Sequence, residues 1–143
     1  FPLNIIRGDI PWKLLLKYNP VLNRTMTEHG FWSRIRLLFL SLLLRKKFTS
    51  QYNRRYATIL RKVCRHSLIL TGGIRSGNEA SDIIRSGEAD AVGFCRPFLA
   101  EPDFATKMLH NPDTRSKCTG CNRCTVLCDS PFPVKCYRKE TEK

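Results

Sequence analysis

Residues 67–99 read SLILTGGIRSGNEASDIIRSGEADAVGFCRPFL. Ser67 to Thr71 is short and apolar and meets Gly72-Gly73, the pattern of a buried strand running into a turn. Ser76-Gly77-Asn78-Glu79 fits a capping box, with Ser76 as N-cap and Glu79 as its return partner. Ala80, Ile83 and Ile84 form the inner face of the helix this box starts, and Gly87 ends it. Ala89 to Phe94 shows no polar alternation, which predicts a second strand covered on both faces. Arg96-Pro97-Phe98-Leu99 follows directly, then a short helix from about Pro102 to Leu109. Strand, helix and strand joined by short links predict parallel pairing and an α/β class. Two strands do not make a stable parallel sheet, so the chain reads as a piece of a larger sheet or a truncated product.

Both turns lie at the C-terminal ends of neighbouring parallel strands, where α/β barrels bind their ligands. Gly72 and Gly73 permit close backbone approach, because no Cβ intervenes. Backbone amides at Cys95 and Arg96 face the same point, and the Arg96 guanidinium adds a forked, charge-assisted contact. These four residues form a candidate phosphate grip. The plainer alternative is a pair of glycines that only permit a tight turn.

Upstream, residues 53–64 place Tyr56, Ile59, Leu60, Val63 and Cys64 at helical spacing, with Arg54, Arg55, Arg61 and Lys62 on the wet side. Residues 32–47, WSRIRLLFLSLLLRKK, are the most hydrophobic part. Apolar residues fall on all faces from Leu37 to Leu44, a stretch that reaches about 12 Å as a helix, against the roughly 30 Å of a bilayer core. It predicts a buried helix, or an interfacial one with basic flanks, but no span. Residues 1–31 are irregular, with Trp12 to Tyr18 as a short helix between prolines. The chain begins at Phe1, so no targeting peptide is readable.

Charge is unevenly spread over the 143 residues. Residues 1–66 hold 14 Lys/Arg against 2 Asp/Glu, while residues 67–143 hold 11 against 10, so nearly all of the net +13 lies in the front half. Such a half fits a solvated basic helix surface, or contact with polyanions. No nucleic-acid motif accompanies it. Five of the seven cysteines crowd into residues 118–136, CTGCNRCTVLCDSPFPVKC. That crowding favours metal or cluster binding in a reducing, cytoplasmic compartment over disulfides. Cys118, Cys121 and Cys124 are spaced by two residues each, and either Cys128 or Cys136 completes a set of four. An iron–sulfur cluster, a Cys₄ zinc site and an unmetallated loop all remain open on spacing alone.

The segment TGGIRSGNEASDIIRSGEADAVGFCRPFLAEPDF resembles the end of the old yellow enzyme family of FMN-dependent, NAD(P)H-using oxidoreductases, and IIRGDIP near the start is similar to a segment after the sixth barrel strand. The resemblance implies the C-terminal portion of a (β/α)₈ TIM barrel, about strands seven and eight with flanking helices, followed by a Cys-rich loop. It divides the chain into a partial FMN-binding barrel domain over 1–110 and a cysteine-rich segment over 111–143. It implies that Gly72, Gly73, Cys95 and Arg96 hold the FMN phosphate, although the Cys95 position is more often glycine or alanine in the family. A full barrel takes about 250 residues. The parts in front would carry the flavin-ring contacts, so no residue here is assigned as catalytic. The pattern Cys118, Cys121, Cys124 and Cys136 resembles the [4Fe–4S] site of trimethylamine dehydrogenase, a long member of the family, and approximates that of 2,4-dienoyl-CoA reductase. Expected partners are NAD(P)H and a small-molecule substrate, an activated alkene or other electron acceptor, with no nucleic acid. The competing reading is a non-enzymatic basic module with a Cys₄ zinc site, facing nucleic acid or an anionic membrane surface.

Overall fold

A computed structural model describes residues 7–19, 23–24, 32, 35–36, 39, 48–128 and 130–138. Among the described residues the elements with defined bounds are, in chain order, α1 (Trp12–Tyr18), α2 (Arg54–Val63), β1 (Ile69–Thr71), α3 (Gly77–Arg85), β2 (Ala91–Gly93), α4 (Arg96–Ala100), α5 (Phe104–His110) and α6 (Arg123–Leu127). The chain divides into two compact units, one over residues 48–119 and one made of residues 1–47 with 120–143. The apolar helix expected over 32–47 lies largely outside the described residues. Among the described residues no helix is long and apolar enough to cross a membrane.

In the unit 48–119, β1 and β2 pair in parallel, with Ile69 opposite Ala91, Leu70 opposite Val92 and Thr71 opposite Gly93. The connection between them is α3, as the strand–helix–strand pattern predicts. This is a mixed helix–strand fold around a small parallel sheet. Ser76 takes an extended backbone and its hydroxyl accepts the Glu79 N–H at 3.2 Å. The Glu79 carboxylate turns back one residue further than a capping box requires, accepting the Arg75 N–H at 2.7 Å. Ala80 and Ile83 point inward from α3 and join Ala57, Leu70, Ile74 and Ala89 in one core. Phe104 of α5 is fully buried, with its ring near those of Phe94 and Phe98.

Three expectations change. Ile84 stands out of the core, because the α3 contact surface is only wide enough for the Ala80–Ile83 stripe. The strands are not covered on both faces: β1 alternates exposed, buried, exposed, and Ile69 is 68% exposed. Among the described residues α2 and α3 cover one face only, and no further strand lies beside this pair.

The larger change is in α2, which turns its other side to the core. Ala57 is buried, whereas Tyr56, Ile59, Leu60 and Val63 are exposed. Arg54 pairs with Glu88 at 2.5 Å and Arg61 with Asp90 at 2.7 Å. Arg61 also donates to the Gly87 carbonyl at 3.0 Å. Arg54, Ala57 and Arg61 share one stripe at helical spacing. The small alanine lets the helix approach closely, and the two arginines tie it to the link between α3 and β2.

The second unit packs α1 against α6 and buries Leu15, Val126, Leu127 and Tyr137. Asn122 precedes α6 in a left-handed conformation, at φ 55°. Its carboxamide donates to the Asp9 carbonyl at 2.9 Å, and the Asp9 N–H donates to the Gly120 carbonyl at 3.1 Å. This two-way link fixes residues 7–10 beside the start of α6.

Candidate cofactor-phosphate site

The register that sets Thr71 opposite Gly93 puts the two following turns side by side at one edge of the sheet. Gly72 and Gly73 leave β1 with φ of 132° and 78°. Cys95 lies just beyond β2, exposed, and Arg96 opens α4. The four residues of the expected grip thus occupy two adjacent strand ends.

What approaches the glycines closely is the chain itself. A Cβ on Gly72 would meet Tyr52 and Asn53 at 2.5–3.0 Å, and one on Gly73 would meet Tyr52, the Gln51 nitrogen and the Thr49 carbonyl oxygen at 2.8–2.9 Å. Hydrogen bonds hold the 50–53 segment there. Gln51 N–H and the Ser50 hydroxyl donate to the Gly73 carbonyl at 3.2 and 3.1 Å, and Asn53 donates to the Thr71 carbonyl at 2.7 Å.

Beside the turn lie charges that the sequence reading did not select. The guanidinium carbons of Arg75 and Arg96 stand 5.4 and 5.7 Å from the centre of the Phe48 ring. Arg75 is gripped by Ser116 on both sides: its carbonyl accepts the Ser116 N–H at 2.8 Å, and its Nη2 donates to the Ser116 carbonyl at 2.6 Å. Among the described residues its buried Nε has no hydrogen-bond partner. Burial, then the neighbouring Arg115 charge and that of Arg96, lower its pKa below the usual arginine value against the opposing pull of Cys118 and Glu79. Glu79 accepts from the Ser50 hydroxyl at 2.7 Å and lies 3.6 Å from Arg115. The signal that could have found Arg75 is its position, two residues after the glycine pair and immediately before the helix cap.

The stretch leading to Cys118, the first cysteine of the 118–136 run, is tied down residue by residue. Asn78 hydrogen-bonds Asp113, Ser116 is held by Arg75, and the Lys117 N–H donates to the buried Glu101 carboxylate at 2.6 Å. Cys118 donates its N–H to the Ser116 hydroxyl at 3.2 Å. Cys121, Cys124 and Cys136 are half-buried in the other unit, and the exposed Cys128 thiol donates to the Thr125 carbonyl at 2.8 Å. The described cysteines form no disulfide. Among the described residues no three His, Cys, Asp or Glu side chains gather as a metal-binding group.

Residues 43–114 match the profile of the NADH:flavin oxidoreductase / NADH oxidase family. No curated protein and no solved structure matches the chain at a significant level. The family match spans half of the chain and includes both turns, α2 to α5 and Arg75. The chain belongs to this family of FMN-binding oxidoreductases. The match ends before Cys118, so the cysteine run lies outside it.

The donors present suit the phosphate of FMN. Two guanidinium groups stand near the Phe48 ring, and among the described residues the buried Nε–H of Arg75 has no partner. For an iron–sulfur cluster the donors suit by kind, four thiols that form no disulfide among the described residues.

Proposed function

We propose that the chain supplies the phosphate end of the flavin site in an FMN-dependent NAD(P)H oxidoreductase, as the part of a (β/α)₈ barrel that carries strands seven and eight. The family match across both turns is the observation that carries this reading. The parallel register supports it, since it sets Gly72, Gly73, Cys95 and Arg96 at one edge, on the ligand side of such sheets. Backbone N–H groups of Gly72, Gly73 and Cys95 would meet the phosphate oxygens, and Arg96 would add its forked donors. FMN, when bound, supplies the hydride chemistry between the nicotinamide and an activated alkene or other acceptor. The residues of this chain bind and orient the cofactor tail.

Cys118, Cys121, Cys124 and Cys136 would hold a [4Fe–4S] cluster. Cys136 is preferred to Cys128 as the fourth ligand, because the Cys128 thiol already donates to Thr125. Two measurements test the reading. FMN should bind at least tenfold more tightly than riboflavin, the loss expected when charge-assisted phosphate contacts are removed; equal affinity overturns the phosphate site. Anaerobic reconstitution with iron and sulfide should give absorbance near 400 nm that Cys136→Ser removes and Cys128→Ser spares. Zinc uptake without iron in the unsubstituted chain overturns the cluster.

A further inference from the structure

We propose that the outward side of α2 is a docking surface for an anionic membrane, with the helix lying along the headgroup layer and its apolar row turned into it. This surface is independent of the flavin reading, which uses the strand-end turns.

A surface helix of a globular domain buries its apolar stripe. The helix α2 is mounted the other way round. Arg54 and Arg61 are tied to Glu88 and Asp90, and Ala57 meets the core, so Tyr56, Ile59, Leu60 and Val63 face outward. Ile59 is 60% exposed and Val63 80%. The four recur at i, i+3, i+4 and i+7, which makes them one continuous row. Arg55 and Lys62, four residues before and three after Ile59, border that row on one side, and both are exposed. Arg65, also exposed, follows the end of the helix. The Arg55 guanidinium lies over the Tyr56 ring, 4.5 Å from its centre.

Charge decides the occupant. The sequence has no Asp or Glu from His29 to Asn78. Glu88 and Asp90, the two carboxylates that reach α2, are engaged on its inner side. Among the described residues Arg55, Lys62 and Arg65 pair with no carboxylate. A second copy would set these cations against their own kind. A protein groove takes a helix in from both sides, whereas α2 gives its inner side to the sheet. A flat, fluid and anionic surface fits a single exposed row. Lys and Arg at its border lay their stems along the apolar layer and keep their charges at the phosphates. Apolar burial and attraction to acidic lipid act together in helices of this kind.

The test uses the full chain near neutral pH, with vesicles of phosphatidylcholine alone or with about one third phosphatidylserine, and reads binding by co-sedimentation. Three cations at an anionic leaflet strengthen binding by a factor on the order of 10², so the serine-containing vesicles should bind at least tenfold more tightly. That advantage should shrink as salt rises. Ile59→Asn should weaken binding about tenfold or more, the loss of one buried aliphatic side chain. The Ile59 side chain stands outside the core, so the fold survives the change; Ile84→Asn, at an exposed position of α3, should bind like the unsubstituted chain. Lys62→Glu should weaken binding to the serine-containing vesicles only. No binding, or equal binding to the two vesicles, overturns the proposal. Unchanged binding by both Ile59→Asn and Lys62→Glu assigns the membrane contact to another segment and overturns the α2 surface. Self-association that Ile59→Asn abolishes, without vesicle binding, would make a second copy the occupant. Polyaspartate bound as tightly as the vesicles, and weakened equally by Ile59→Asn, would make it an acidic polypeptide. Either result refutes the membrane.

Discussion

Gly73→Ala tests whether the glycine turn is shaped by the segment lying over it. At φ 78° an alanine sits in the left-handed region, which costs roughly 1–2 kcal/mol. The new methyl would also stand 2.9 Å from both the Gln51 nitrogen and the Thr49 carbonyl oxygen. Those are backbone atoms that cannot rotate away, and relieving such overpacking costs about 1–3 kcal/mol. Moving the segment would strain the two hydrogen bonds to the Gly73 carbonyl as well, each worth about 0.5–1.5 kcal/mol. The sum is about 3–8 kcal/mol, a large part of what a domain of this size holds in reserve. Gly87→Ala is the matched control, because Gly87 has φ 69° and nothing within 4 Å of its would-be Cβ. It should lose only the dihedral part. Native-state hydrogen exchange of the α3 amides reads opening of the 48–119 unit. Gly73→Ala should speed that exchange by a factor on the order of 10² or more, and Gly87→Ala by about tenfold. Equal acceleration in the two variants would show that residues 49–52 do not press on the turn, and the account of the site would fail.

Glu101 gives a pH prediction. Burial raises its pKa, but the Lys117 N–H and the Lys107 ammonium outweigh that and hold it below the usual glutamate value. A depressed carboxylate adds stability above its unfolded pKa, about 4.3, and loses it as pH falls through the lower folded value. Glu101→Gln should therefore be less stable than the unsubstituted chain at pH 7, with the gap closing below about pH 4; thermal melts showing a constant gap would refute this. In the other unit, Asn122→Ala removes the donor that holds the Asp9 carbonyl and should cost about 1–3 kcal/mol. Tryptic cleavage after Arg7 should then accelerate, and an unchanged rate would refute the link.

What was legible in the sequence is what local chemistry dictates. Ser76 caps α3 because its hydroxyl reaches the Glu79 N–H three residues on, and spacing alone reveals that. The strand ends and the glycine turn are equally local, and they carry the family resemblance that the match over 43–114 bears out. The facing of α2 was not legible. Periodicity reports that Tyr56, Ile59, Leu60 and Val63 share a side, not which side meets the sheet. That choice depends on Glu88 and Asp90, some 30 residues away, and on the small size of Ala57. Arg75 and Phe48 were missed for the same reason, since the ring that joins two arginines lies far from both in the chain. The cysteine spacing names candidate ligands, but convergence is a property of three dimensions.

The reversed α2 sets how this protein should respond to salt. Its attachment to the sheet runs through Arg54–Glu88 and Arg61–Asp90, and both pairs are partly open to solvent. Added electrolyte screens such pairs. The outward row of Tyr56, Ile59, Leu60 and Val63 responds in the opposite sense, because strongly hydrated salts such as sulfate favour apolar burial. The same increase in sulfate therefore loosens the helix from its own sheet and makes its outer side stickier toward other molecules. Purification in moderate chloride rather than sulfate follows directly from which side of one helix carries its arginines.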